Sequence, residues 1–189
     1  MGYFHTERGV EEYTEMAKGF DGAHLIEFLG KHLTPGSTVL ELGMGPGVDL
    51  DLLARTYKVT GSDYSQVFLD RYKSSHPEAD LVLVDAVSPH VDRRFDCIYS
   101  NKVLHHLTRD EMRGSLLAQR DLLNVDGLAM HSFWWGTGEE VMAGLRFVYY
   151  TEETLAEAIA DTGFEIVELS RYSEMEPDDS IMVLLKSTQ

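Results

Sequence analysis

The sequence predicts an α/β fold, a mostly parallel sheet with helices on both faces. Three observations carry that expectation. Short apolar runs of strand length alternate with helix-like segments from Thr38 onward. The first run leads into a glycine-rich turn, Gly43-Met44-Gly45-Pro46-Gly47. The last two runs, Glu165–Arg171 and Ser180–Lys186, have only a turn around Pro177-Asp178-Asp179 between them, and strands joined by so short a link run antiparallel.

Taken in order, the chain opens with a helical cap segment, 1–34, of a single domain spanning 1–189. Within it Leu25, Ile26, Phe28, Leu29 and Leu33 make a helix-like apolar face behind a cap at Asp21. Glu11, Glu12 and Glu15 read as a solvated face. Pro35-Gly36 ends the segment. Thr38–Leu42 is the first strand, and a helix follows from Val48 to Arg55. The second strand is Tyr57–Asp63, after which Ser65 caps a helix to about Ser74. Leu81–Asp85 and Phe95–Ser100 are the third and fourth strands. Thr108, with Glu111 three residues on, forms a capping box for a helix to about Leu123. The fifth strand is Leu128–Phe133. Thr151 caps a helix that stops at Gly163, and the terminal hairpin completes the sheet.

Composition narrows the function. A chain of 189 residues with 43% apolar and 25% charged side chains is ordinary for one globular domain. Its charge is not: 32 acidic against 16 basic side chains give a net charge of -16. That field repels a polyanion, so no nucleic acid is expected as partner, and it favours a cationic ligand. A lone cysteine, Cys97, excludes an intrachain disulfide and a cysteine metal cluster. The eight histidines show no ligand spacing with carboxylates, so no metal is expected. No apolar window approaches a membrane span and the N-terminus lacks a signal pattern, which predicts a cytoplasmic protein with no membrane partner. A monomer and a homodimer both remain open.

Parallel sheets of this kind bind ligands beyond the carboxyl ends of their strands. The first strand ends in Glu41 and the glycine turn, the second in Asp63, the third in Asp85. A carboxylate at the second position can accept from both hydroxyls of a ribose, and one at the third from an exocyclic amine. The same two aspartates could instead cap turns. Two nucleoside cofactors suit the layout. A dinucleotide would place its pyrophosphate against Glu41, Asp49 and Asp51, and its G-x-G-x-x-G fingerprint fails at Val48. S-adenosylmethionine carries no phosphate and is net positive.

Val39-Leu40-Glu41-Leu42-Gly43-Met44-Gly45-Pro46-Gly47 resembles the first motif of the class I S-adenosylmethionine-dependent methyltransferases. Gly61-Ser62-Asp63-Tyr64-Ser65 is similar to their second, Asp85-Ala86 to the third, and Phe95 through Leu107 to the fourth. The turn from Leu122 to Gly127 before the fifth strand is also similar, with Asp126-Gly127-Leu128 in place of the usual Pro-Gly-Gly, and Tyr150 through Phe164 resembles the late helix of the branch that methylates small molecules. The resemblance implies a Rossmann-like, doubly wound sheet of seven strands in the order 3-2-1-4-5-7-6, the seventh antiparallel. It implies S-adenosylmethionine as cofactor and methyl transfer to an O, N, S or C nucleophile of a small molecule by in-line displacement. By position, Glu41, Gly43, Met44, Gly45 and Gly47 would hold the methionyl end and Asp63 the ribose. Tyr64 would flank the adenine, Asp85 and the Ala86 N–H would read its edge, and Ser100, through its backbone carbonyl, and Asn101 would line the path to the sulfonium.

Other residues are candidates on chemistry alone. His105 or His106 is the candidate base, although helical neighbours diverge by about 100°, so one at most faces a pocket. Tyr13, Trp134, Trp135 and Tyr149 are candidates for a substrate wall or a cage for a cation, with core packing as the alternative. Phe4 and Tyr13 belong to a segment able to fold over the site as a lid. A non-catalytic module that binds the cofactor or its demethylated product, and a nicotinamide-dependent enzyme, are the alternative functions.

Overall fold

The computed structural model describes residues 3–142 and 144–188, the Tyr3 side chain excepted. After a 3-10 turn at Tyr3–His5 come α1 (Glu7–Met16), α2 (Ala23–Leu29), β1 (Thr38–Leu42), α3 (Val48–Leu53), β2 (Lys58–Asp63), α4 (Gln66–Ser75), β3 (Leu81–Leu83) and β4 (Phe95–Asn101). A second 3-10 turn, Leu104–His106, leads into α5 (Arg109–Leu122), β5 (Leu123–Trp134), β6 (Glu139–Met142), β7 (Leu145–Val148), α6 (Glu152–Ile159), β8 (Phe164–Tyr172) and β9 (Ser180–Ser187). Seven strands form one sheet in the order β3-β2-β1-β4-β5-β9-β8. With the β6–β7 hairpin set aside, this is the expected order, and the last strand, β9, is antiparallel to β5 and β8. The four pairings among β1 to β5 are parallel.

Period-2 alternation along the central strands feeds two cores. On β4, Ile98 faces a cluster with Leu116, Phe133, Tyr150 and Leu155, while Cys97 and Tyr99 face Leu25, Leu29, Leu53 and Met130. Both faces are covered, which is why four consecutive residues of β1, Val39 to Leu42 with Glu41 among them, are buried rather than every second one. Three of the expected caps form as read, Thr151 accepting from the Thr154 N–H at the start of α6. Ser65 accepts from Phe68 N–H, and Thr108 and Glu111 close a full capping box.

Four boundaries differ from the sequence expectation. The cap of α2 is Gly22; Asp21 lies one residue outside and accepts from the Ala23 N–H at 3.0 Å. β3 is three residues long because Val84 and Asp85 already turn away toward the rim. α6 ends at Ile159, and Asp161 (φ 60°) and Gly163 (φ 79°) then reverse the chain. β5 begins at Leu123, immediately after α5, and an irregularity in its pairing with β4 absorbs Asp126 (φ 60°) and Gly127.

The segment between Trp134 and Tyr150 is a two-stranded antiparallel hairpin, β6–β7, separate from the main sheet. All four residues of β6 are exposed, so no buried face imposes an alternating pattern that would reveal the strand in sequence.

Phe133 is fully buried and meets Tyr150 edge-on at 5.0 Å. Phe133→Ala is expected to lower unfolding free energy by about 3–5 kcal/mol, and Thr108→Ala by about 1 kcal/mol through loss of the cap. Urea denaturation monitored by circular dichroism measures both.

Candidate functional site: a glycine loop ringed by buried carboxylates

The loop after β1 is built from three glycines in left-handed backbone. Gly43, Gly45 and Gly47 have φ of 70°, 50° and 87°, conformations that side-chain-bearing residues avoid. A Cβ at Gly43 would fall 2.6 Å from Val103, and one at Gly47 2.3 Å from the Tyr72 ring. At Gly45 the nearest atom is a Tyr13 ring carbon at 3.6 Å, so the loop presents bare backbone there. Met44 anchors it by donating N–H to the Ser62 carbonyl at 2.8 Å and by packing with Leu50 and Tyr72.

Three buried carboxylates surround this loop. Asp63, at the end of β2, accepts from Gly45 N–H at 3.0 Å and Ser65 N–H at 2.8 Å. It therefore does cap the turn, as the alternative reading allowed, and it also faces the cavity lined by Gly43 and Gly45. Burial raises its pKa against the pull of those N–H groups. Asp49, in the first turn of α3, accepts from Gly22 N–H (2.7 Å), Tyr99 OH (2.8 Å) and Asn101 Nδ2 (3.1 Å). It thus ties the N-terminal segment and β4 to one helix N-terminus. Glu41 is 3% exposed, and its Oε2 has no hydrogen-bond partner. Burial, and then Asp49, Asp63 and Asp51, push its pKa well above the ordinary carboxylate value.

Two cavities meet at the loop, with Tyr13, Gly43, Gly45 and Lys102 in both walls. One, about 70 Å³, is lined further by Phe4, Asp63, Tyr64, Ala86, Val103 and His106. The other, about 120 Å³, is acidic, with Asp21, Glu41, Asp49 and Glu174 around Asn101. Of the residues singled out in sequence, Glu41, Gly43, Met44, Gly45, Asp63, Tyr64, Ala86, Asn101, Tyr13 and His106 line these cavities. Gly47 sits behind the loop, capping α3. Asp85 is exposed at the rim and accepts from Val87 N–H at 2.9 Å. The Ser100 side chain is turned away, bonded to His131 Nδ1 at 2.8 Å. Phe4 and Tyr13 pack edge-on at 5.1 Å above the Tyr64 end, and the Phe4 carbonyl accepts from Ser65 Oγ, so the N-terminal segment covers this wall.

The aromatic pairs after β5 line neither cavity. Trp134 does hold a cation, but the chain's own: Lys102 Nζ lies 3.6 Å over its ring. Trp135 donates to Glu152 at 3.0 Å beneath Arg171, and Tyr149 bonds Glu140. Sequence reading missed two residues here. Lys102 has φ 55°, donates to the Phe133 carbonyl and Ser180, and pairs with Glu174 at 3.2 Å. Burial brings its pKa down to about 8 despite Glu174. Asp49 is the other; read as one acid among several near the loop, it is the junction of three elements. No local sequence signal marks either, because their partners are distant in the chain.

The two histidines separate. His105 is 2% exposed with both ring nitrogens unpartnered, stacked on Phe147. His106 lines the smaller cavity, and its Nδ1 meets the Arg146 carbonyl at 2.7 Å. Among the described residues no group of histidine, cysteine and acidic side chains is placed to hold a metal, and no helix is long and apolar enough to cross a membrane.

This sheet order, with a glycine loop after β1 and a carboxylate at the tip of β2, defines a Rossmann-like α/β protein, a class whose ligand sites lie at the strand ends. Residues 39–127 match the family profile described as a methyltransferase domain. Those residues are under half of the chain, and over them it is similar to that family; the seven-stranded sheet as a whole has the Rossmann-like fold. No curated protein matches the sequence. Solved structures do match in fold. An S-adenosylmethionine-dependent methyltransferase from Clostridium acetobutylicum ATCC 824 aligns at TM-score 0.78 and 13% identity, over 96% of this chain and 98% of that one. The Burkholderia thailandensis 1,6-didemethyltoxoflavin-N1-methyltransferase, with bound 1,6-didemethyltoxoflavin and S-adenosylhomocysteine, aligns at 0.80 and 20%, over 96% and 85%. The N-methyltransferase NodS from Bradyrhizobium japonicum WM9, in complex with S-adenosylhomocysteine, aligns at 0.72 and 16%, over the whole of both chains.

Burial of Glu41 has a measurable signature. Its folded pKa lies above the unfolded value of 4.5, so the stability it contributes is present below pH 4.5 and is lost as pH rises through the folded value. Glu41→Gln, which mimics the neutral acid, is expected to match the wild type near pH 4.5 and to melt at a higher temperature by pH 8. Thermal denaturation of both proteins without ligand across that range tests the sign.

Proposed function

We propose that this chain transfers the methyl group of S-adenosylmethionine to a small-molecule acceptor. The observation that carries the reading is the partnerless Oε2 of the buried Glu41 carboxyl, beside bare glycine backbone and within the field of Asp49, Asp63 and Asp51. An unpaired buried carboxyl is costly unless something cationic or donating completes it. S-adenosylmethionine brings an ammonium and a sulfonium, whereas a dinucleotide would set its pyrophosphate against Asp49 and Asp51 in the first turn of α3.

In this reading Glu41, the 43–47 loop, Asp49 and Asn101 hold the methionyl end. Asp63 uses the lone pairs left over from Gly45 and Ser65 for the ribose, with Tyr64, Ala86 and Asp85 around the base. The cofactor supplies an electrophilic methyl group on a positively charged sulfur. The chain's part is positioning and exclusion of water. Holding acceptor, methyl and sulfur in line can contribute roughly 7–11 kcal/mol, and Tyr13 and Phe4, packed over the loop, keep the site dry. The neighbours in fold are named as enzymes acting on a toxoflavin precursor and as N-methyltransferases, which fits a small acceptor reached through the acidic mouth.

Calorimetric titration is expected to show binding of S-adenosylmethionine and none of NAD. Asp63→Asn, which preserves shape and an acceptor for Gly45 N–H, should weaken that binding about 10–100-fold, the worth of a charged hydrogen bond. Undiminished affinity would reject the ribose assignment. Incubation with methyl-labelled cofactor and a pool of small phenols, amines and thiols should yield labelled product. Tight binding with no product would instead mark a non-catalytic binding module.

A further inference from the structure

We propose that the β6–β7 hairpin is part of the catalytic device: the Arg146 carbonyl fixes the tautomer of His106, leaving Nε2 as the base that takes a proton from the acceptor. This rests on the methyl-transfer reading above and deepens it by naming a class of acceptor.

The argument begins with one contact. A backbone carbonyl can only accept, so the 2.7 Å contact between His106 Nδ1 and the Arg146 oxygen requires the proton on Nδ1. In the neutral ring the lone pair then resides on Nε2. His106 also lines the cavity with Gly43, Gly45 and Asp63, and since its Nδ1 edge is turned to the hairpin, the Nε2 edge is the one left for that cavity. The ring is held from two further sides. His105 lies 4.0 Å away between centroids, and Phe147 of β7 meets His106 edge-on at 4.9 Å while stacking on His105 at 5.3 Å. Arg146 and Phe147 act through His106 and are positioning residues. The hairpin carrying them is flanked by Gly136 (φ 152°) and Gly138 (φ 81°), and Arg146 also pairs across it with Glu139 at 2.9 Å.

Charged and titratable groups reach this ring from several elements. His105 adjoins it, Lys102 shares its cavity, Asp63 and Tyr64 face it from the end of β2, and Tyr13 faces it from α1. Arg146 and Glu139 lie on the hairpin, and Glu111, at the start of α5, feels the Arg146 charge. The balance favours the neutral ring: burial lowers the His106 pKa, and the bond to Arg146 only partly restores it.

The step balances simply. The acceptor's O–H or N–H bond breaks and its proton goes to Nε2. The acceptor atom forms the new bond to the methyl carbon, and the carbon–sulfur pair stays with sulfur. The imidazolium keeps its Nδ1–H bond to Arg146 and later releases the Nε2 proton to water. Such a base serves an acceptor that carries a hydroxyl or weakly acidic N–H and is neutral at working pH. A thiolate or tertiary amine has no use for it.

Nitrogen-15 correlation spectra of the imidazole rings, assigned by loss of one signal in His106→Asn, read tautomer and titration without any acceptor. The expected result is Nδ1–H with a bare Nε2 at pH 7, titrating below the ordinary value of 6.5, and a loss of the pure Nδ1–H form in Phe147→Ala. An Nε2–H tautomer, or a cation at pH 7, overturns the inference. His106→Asn keeps a donor for Arg146 but has no base. It should slow transfer by about 10²–10⁴ at unchanged cofactor affinity, with the deficit shrinking at high pH as the acceptor ionises unaided. Equal rates, or a wild-type product range confined to thiols, overturn the inference while leaving the methyl-transfer reading intact. Failure of the wild type to bind S-adenosylmethionine removes both.

Discussion

Everything at the strand ends answers to one electrostatic constraint: three carboxylates are buried around a single loop of backbone, and the protein's own donors satisfy only two of them. Asp63 is satisfied by N–H groups of the loop and of the following turn. Asp49 is satisfied by a backbone N–H of the N-terminal segment and by a phenol and an amide of β4. Glu41 is left over. Burying a charge without a partner is disfavoured, so burial and the neighbouring acids push the Glu41 pKa well above the ordinary carboxylate value. The raised pKa of Glu41 and the acidity of the cavity beside it are two aspects of one arrangement.

The opposite wall shows the complementary solution. Lys102 carries a cation into the same cleft, but Glu174, Ser180, the Phe133 carbonyl and the Trp134 ring engage it already. A lysine so occupied does not cancel the acids across the cleft. It couples the end of β4 to the turn before β9 and so fixes the far edge of the site. Its left-handed backbone turns the chain sharply after β4 and brings Val103 against Gly43 and His106 to the cavity. Cofactor loop and candidate base are thereby set by the same short stretch.

The hairpin contributes in a different way. It is a satellite of the main sheet, yet its Arg146 carbonyl lies 2.7 Å from His106 Nδ1 at the edge of the cavity. Variation in such an insert can therefore alter chemistry as well as acceptor shape without touching the cofactor loop, since the scaffold that positions the loop is continuous with the sheet and the hairpin is not.

Sequence alone determined the architecture and the glycine loop and acids at the strand ends. The strand runs, the glycines of the 43–47 turn, the acids closing β1 and β2 and the caps at Ser65 and Thr108 are local signals: each depends on backbone conformation or periodicity within a few residues. What it could not determine was whatever depends on residues far apart in the chain meeting in space. Asp49 draws on Gly22, Tyr99 and Asn101; Lys102 occupies the aromatic face of Trp134 that was a candidate for a ligand; and the choice between His105 and His106 waits on Arg146 and Phe147. Tertiary structure alone decides such contacts, because a side chain's partner is set by packing between elements, and an exposed hairpin such as β6–β7 leaves no apolar rhythm by which the sequence could announce it.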